Sequence, residues 1–131
     1  MIDDRPFWER ERPAGIRRYF ALLDGFPRIV TLCGSTRFVD TFNEWRKKLT
    51  QEGQIVLSIE IVTTQQYGED PQHVNRQNKE MLDWLHFRKI DLADYVMVLN
   101  VGGYIGESTR NEIEYATAQG TPVLYLEASH A

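Results

Sequence analysis

The sequence is poor in the features that mark secreted, membrane and nucleic-acid-binding proteins. It has one cysteine, Cys33, among 131 residues and so cannot form an internal disulfide. It lacks a run of about 18 apolar residues that could span a bilayer, and its N-terminus is too charged for a signal peptide. Its 15 basic and 19 acidic residues give a formal charge of −4. The chain as a whole therefore has no excess of positive charge with which to bind a nucleic acid. We expect a cytoplasmic protein with no nucleic-acid or membrane partner.

The first 27 residues differ in pattern from the rest of the chain. A charge-rich start leads into apolar residues at the spacing of one helix face: Ile16, Tyr19, Phe20 and Leu23. We predict an N-terminal helical extension over residues 1–27 and one α/β domain over 28–131, since this length suits a single core. The extension is rich in aromatic side chains that need cover, which predicts a homodimer or tetramer.

Short apolar runs alternate with helical patterns from residue 28 onward. The runs predict strands at 29–33, 55–62, 95–99 and 122–126, with helices between them. This alternation predicts a three-layer Rossmann-like or flavodoxin-like fold, with four to five parallel strands and helices on both faces. Ligands in such folds bind beyond the carboxyl ends of the strands, where the strand order reverses. A polar loop over residues 63–73 follows one such end and is predicted to be a lid or substrate loop.

The loop after the first predicted strand has the composition of an anion-binding site. Gly34 lets the chain turn, and Ser35 and Thr36 supply hydroxyls and backbone N–H groups at the start of a helix. Arg37 adds a charged fork suited to a phosphate or carboxylate. The same residues suit a simpler role, in which a hydroxyl caps the helix and Arg37 lies in solvent. Both roles stay open for this loop. Cys33, which precedes it, is interpreted as a small apolar residue that closes the strand.

A second glycine-rich loop, over residues 102–106, leads into a predicted helix from Ser108 to Gln119. Its three glycines allow a ligand to approach the backbone closely. With Ser108 as the N-cap, Glu112 ends the first helical turn and is the glutamate best placed to face the cleft. Glutamates near a helix N-terminus also complement the helix dipole, and the residues alone favour that simpler role.

These two loops together resemble those of the nucleoside 2-deoxyribosyltransferase superfamily, which includes nucleotide N-hydrolases. The first loop, residues 33–37, is similar to the sugar- and phosphate-facing loop of the nucleoside 5′-monophosphate hydrolases. The second loop carries the resemblance through Gly106, Ser108, Glu112, Ile113, Tyr115 and Ala116. The general pattern covers residues 28–127. The resemblance implies cleavage or transfer at the N-glycosidic bond of a nucleoside or nucleoside 5′-monophosphate, with Glu112 as the nucleophile.

The resemblance also assigns expected roles to other residues. The substrate-binding residues are expected to be Gly34, Ser35, Thr36, Arg37, Gly103, Tyr104, Gly106 and Ser108. The chemistry itself needs an acid to protonate the leaving base, and the candidates are Asp83, His86 and Asp91. For Asp83 and His86 a surface or helix-end role is equally open. No cofactor is needed for this chemistry. No metal is expected, because His73, His86 and His130 show no ligand spacing with one another or with Cys33.

Two other functions stay open. One is a non-catalytic nucleotide-binding or sensing module of the same fold. The other is a structural unit that acts through oligomerisation.

Overall fold

The computed structural model of the chain describes residues 26–59 and 76–128. The predicted N-terminal helix and the predicted lid loop lie outside the described residues. None of the helices within the two described ranges is long and apolar enough to cross a membrane.

Four strands and three α-helices alternate along the described chain. In order they are β1 (Ile29–Cys33), α1 (Val39–Gln51), β2 (Ile55–Leu57), α2 (Arg76–Leu92), β3 (Tyr95–Val98), α3 (Glu107–Ala118) and β4 (Val123–Tyr125). Short 3-10 turns at Thr36–Phe38 and Val101–Gly103 follow β1 and β3. Each strand lies within an apolar run from which it was predicted, because such runs suit strands that are covered on both faces.

The four strands form one parallel sheet in the order β2-β1-β3-β4. The chain moves outward from β1 to β2 on one side and from β3 to β4 on the other, so the strand order reverses between β1 and β3. The predicted α/β Rossmann-like fold is confirmed, with four strands in the described part of the chain. The reversal opens a crevice beyond the carboxyl ends of β1 and β3.

Two apolar clusters cover opposite faces of the sheet. On one face, strand side chains including Leu32 pack against Phe42 and Leu49 of α1. On the other face, Cys33 and its neighbours on β3 pack against α2 and α3. Successive side chains of a strand point to opposite faces, so Cys33 lies on the side of α2 and α3. The result is a three-layer arrangement with helices on both faces.

The start of α3 differs from the prediction. Gly106 is the N-cap, and its carbonyl accepts the first helical hydrogen bond from the Arg110 N–H at 2.9 Å. The predicted N-cap at Ser108 is therefore wrong, because glycine can also cap a helix and the turn closes two residues earlier. Glu112 consequently lies in the second turn of α3, on the helix's buried face with Thr109 and Ala116.

Candidate functional site

A cavity of about 430 Å³ lies where β1 and α3 meet α2. Its wall is made by the loop after β1 (residues 34–36), by one side of α2 and by the N-terminal half of α3. This is the crevice that the strand order predicts, and its volume falls within the range of roughly 300–1,000 Å³ that is typical of small-molecule sites.

Most of the site residues predicted from the sequence line this cavity. They are Gly34, Ser35, Thr36, Asp83, His86, Gly106, Ser108 and Glu112. Four further predicted site residues are not in its wall: Arg37, Asp91, Gly103 and Tyr104.

Three of those four residues lie on the loops beside the cavity. The Arg37 guanidinium stacks over the Tyr104 ring, 4.0 Å from its centroid, and donates a hydrogen bond to the Tyr104 hydroxyl at 3.0 Å. Both side chains are exposed. The Gly103 N–H donates to the Glu127 carboxylate at 2.8 Å. The pair formed by Arg37 and Tyr104 therefore links the loop after β1 to the glycine-rich loop.

Asp91 lies elsewhere, between α2 and α3. Its carboxylate accepts hydrogen bonds from Arg88 at 2.7 Å and from the Tyr115 hydroxyl at 2.6 Å. Arg88 is on α2 with Asp91, whereas Tyr115 is on α3, so the hydrogen bond from Tyr115 gives Asp91 a role in holding α3 against α2.

Glu112 is the buried carboxylate of the cavity wall. The residue is only 8% exposed, and among the described residues its Oε2 atom has no hydrogen-bond partner. Burial raises the pKa of Glu112 from 4.5 to about 7, against a hydrogen bond with Cys33 that lowers it, while Asp83 raises it further. A carboxylate held in this way has an oxygen available to a ligand and is poorly stabilised until a positive charge approaches.

Cys33 and His86 lie directly beside Glu112. The Cys33 Sγ atom is 3.2 Å from His86 Nε2, and the same nitrogen is 3.7 Å from Glu112 Oε2. Burial, and then the nearby Lys89, lower the pKa of His86 to about 4, so its imidazole is neutral at pH 7. Burial and the neighbouring Glu112 raise the pKa of the Cys33 thiol, which therefore stays protonated. We call these three residues the Cys33–His86–Glu112 cluster.

Sequence patterns did not reveal this cluster. Cys33 and His86 are 53 positions apart, and the three side chains come from a strand and two different helices. The available signal was Cys33 itself, as the last residue of a strand whose carboxyl end was predicted to face the site. The interpretation of Cys33 as an apolar residue that closes the strand agrees with its burial. It did not anticipate that His86 and Glu112 lie beside the thiol.

The rest of the cavity wall offers both charge and apolar surface. Lys79 and Lys89 of α2 line it, although the Lys89 ammonium already donates to the Ser58 carbonyl at 2.6 Å. Apolar side chains on the wall come from Ile59, Leu82 and Leu85. The wall can therefore contact both apolar and charged parts of a ligand.

The N-terminus of α3 faces the same cavity. Gly106 and Ser108 line it, and the Gly106 N-cap has no side chain that could bond the first helical N–H groups. Such N–H groups are available to an anion or a polar ligand, and the helix dipole favours negative charge there.

A comparison with family models, curated proteins and solved structures finds no match. The function of the site therefore has to be inferred from its geometry and chemistry.

Glu112→Gln is expected to stabilise the fold at alkaline pH. Because the pKa of Glu112 is raised from 4.5 to about 7, the folded protein holds a proton that the unfolded chain releases between those values. The free energy of unfolding from this group therefore falls as the pH rises across that window. Glutamine cannot ionise, so we expect it to add about 1–2 kcal/mol at pH 8, less than the full ionisation cost because an amide must still be buried.

Urea unfolding at pH 8 and at pH 4.5, with a chelator present, measures this difference. The gain should disappear at the lower pH. The lowered pKa of His86 makes its contribution to the free energy of unfolding rise with pH. This contribution is present in the wild type and in Glu112→Gln, so comparing the two proteins at each pH largely cancels it. Glu114→Gln, an exposed change on the same helix, is the matched control and should have little effect. An equal gain at both pH values would mean that ionisation of Glu112 does not oppose folding.

Proposed function

We propose that this protein cleaves or transfers the N-glycosidic bond of a nucleoside or nucleoside 5′-monophosphate, with Glu112 as the nucleophile. The observation that carries the proposal is the buried Glu112 carboxylate in the cavity wall, whose Oε2 atom has no hydrogen-bond partner among the described residues. Cleavage of such a bond passes through a transition state with positive charge on the sugar ring. A carboxylate with an available oxygen can stabilise that charge and then bond to it.

The reaction proceeds in two displacements. A Glu112 oxygen bonds to the anomeric carbon C1′ while the C1′–N bond breaks, and the electron pair leaves with the base, which takes up a proton. Water then attacks C1′, loses a proton and releases Glu112 from its ester, as in retaining glycosidases. A second base in place of water would make the same steps a transfer.

Of the three residues proposed from the sequence to protonate the leaving base, two line the cavity, Asp83 and His86. His86 lies in the cavity wall, but with a pKa of about 4 its imidazole carries no extra proton at neutral pH. Asp91 is engaged by Arg88 and Tyr115 away from the cavity. Asp83 lines the cavity, but it raises the pKa of Glu112 as a negatively charged carboxylate. The proton donor therefore stays open between Asp83 and His86.

The rest of the wall supports a substrate with an apolar base and a polar or anionic end. Leu82 and Leu85 provide a surface for the base. Ser35, Thr36 and the α3 N-terminus provide hydroxyls and backbone N–H groups for the sugar or its phosphate. Arg37 adjoins this group, which is why we favour a 5′-monophosphate and hydrolysis.

A panel of ribo- and deoxyribonucleosides and their 5′-monophosphates tests the proposal directly. Chromatography of each incubation with the full-length protein is expected to show free base from at least one substrate, in proportion to enzyme concentration. A second panel with an added acceptor base distinguishes transfer from hydrolysis. Binding of these compounds without release of base would overturn the proposal and favour a sensing module.

A further inference from the structure

The Cys33–His86–Glu112 cluster combines three different kinds of metal-binding atom at one point. A thiol, an imidazole nitrogen and a carboxylate oxygen all lie within 4.8 Å of one another. Each of the three residues is buried, with exposures of 0%, 3% and 8% respectively. In the described part of the chain, two polar atoms of the cluster, His86 Nδ1 and Glu112 Oε2, have no hydrogen-bond partner.

The separations between these ligand atoms suit an ion with tetrahedral coordination. Bond lengths of about 2.3 Å to sulfur and 2.0–2.1 Å to nitrogen or oxygen imply ligand atoms about 3.3–3.6 Å apart around zinc. The observed separations are 3.2 Å from Sγ to Nε2 and 3.7 Å from Nε2 to Oε2. These two separations are within a few tenths of an ångström of the spacing around one ion, and the third pair, Sγ and a Glu112 oxygen, lies within 4.8 Å.

The cluster is also accessible, and its charge suits a divalent cation. His86 and Glu112 line the cavity, so an ion can approach along the path that a substrate would use. A thiolate and a carboxylate together neutralise two positive charges, and a neutral imidazole completes three protein ligands, leaving the fourth position for water. Sulfur and nitrogen ligands favour Zn²⁺ and its thiophilic relatives over Mg²⁺ or Ca²⁺.

We propose that the Cys33–His86–Glu112 cluster is a binding site for Zn²⁺ or a similar thiophilic divalent cation. On binding, the Cys33 thiol loses its proton to solvent, the sulfur and the Glu112 carboxylate bond to the ion, and His86 Nε2 supplies the third bond. The ion binds the Glu112 oxygen that would otherwise attack C1′, so bound Zn²⁺ inhibits base release. The binding site stands on its geometry alone, whereas this inhibition rests on the proposed function.

Cobalt(II) is the direct probe, because a thiolate–cobalt bond gives a charge-transfer absorption band and a tetrahedral site gives intense visible bands. Cys33 is the only cysteine of the chain, so any thiolate–cobalt band reports on this residue. The full-length protein, reduced and free of added thiols, is expected to develop both bands as Co²⁺ is added. Zn²⁺ should remove them stoichiometrically and excess Mg²⁺ should not. A wild-type protein that shows no thiolate band with Co²⁺ overturns the proposal without any variant.

Variants test the three-ligand arrangement. Cys33→Ser should abolish the thiolate band, and His86→Gln should weaken Co²⁺ and Zn²⁺ binding at least tenfold, with circular dichroism confirming that each variant is folded. His130→Gln removes a histidine outside the cluster and should leave binding unchanged. Unchanged affinity in His86→Gln, or a comparable loss in His130→Gln, would contradict the assignment.

Base-release assays separate the two proposals. Inhibition by Zn²⁺ at the concentrations that displace Co²⁺ is the expected result. Bound Zn²⁺ that leaves the rate unchanged would overturn the inhibitory part. A protein that releases no base even with a chelator would count against the proposed function, while the cobalt spectrum would still decide whether the metal site exists.

Discussion

Glu112→Gln is expected to abolish base release while leaving the protein folded. Glutamine has nearly the shape of glutamate but cannot form the ester with C1′ or neutralise the charge of the transition state. Loss of a nucleophile of this kind lowers the rate on the order of 10³-fold or more. The measurement is base release under single-turnover conditions on the best substrate of the panel, with circular dichroism to confirm the fold.

Two neighbouring glutamates on α3 provide matched controls. Glu114→Gln changes an exposed residue, and Glu107→Gln changes one that lines the cavity near the start of the helix. Neither is expected to reduce the rate to the level of Glu112→Gln. The wild-type rate should also rise with pH through about 7, as the Glu112 carboxylate forms. Turnover at the wild-type rate in Glu112→Gln would remove this residue from the mechanism.

Arg37→Ala is expected to impair the use of nucleoside 5′-monophosphates far more than the use of nucleosides. A charge-assisted contact with phosphate contributes about 1.5–3 kcal/mol, which corresponds to a loss of roughly 10- to 150-fold in kcat/KM for the monophosphate. The ratio of kcat/KM for a monophosphate to that for its nucleoside measures this selectivity directly.

The surroundings of Arg37 supply the controls. Tyr104→Phe keeps the ring beneath the guanidinium and removes only the hydroxyl that accepts its hydrogen bond, so it should reduce the preference only modestly. Lys79→Ala tests the other candidate cation, which lines the cavity itself. If Lys79→Ala removes the preference and Arg37→Ala does not, Lys79 is the residue that recognises phosphate. Equal losses on both substrates in Arg37→Ala would show that Arg37 does not discriminate between them.

The fold could be predicted because its strands and helices are specified by residues that are close together in the sequence. The apolar runs that became β1 and β3 are continuous, as expected for strands covered on both faces. The helical spacing between the runs predicts parallel crossovers and therefore the edge of the sheet where a site forms. The predicted N-cap of α3, Ser108, was wrong although it too rested on nearby residues. Gly106 and Ser108 are both acceptable N-caps, and only the packing of the folded chain decides between them.

The choice of Glu112 as the residue to test came from the resemblance of its loop to that of a known superfamily, because the residues alone favoured a helix-dipole role. The sequence by itself determined the α/β class and the two loops that meet at the site. Each depends on neighbours along the chain, whose spacing sets which side chains share a face. Only the tertiary structure decided that Cys33 and His86 lie against Glu112, that Asp91 joins α2 to α3 instead of facing the cavity, and that Arg37 stacks on Tyr104. Those contacts join residues that are distant in sequence. The packing of α2 and α3 on the sheet brings the first two sets together, and the pairing of β1 with β3 places the loops of Arg37 and Tyr104 side by side. That same packing removes water from Glu112, which raises its pKa and leaves one of its oxygens available to a ligand.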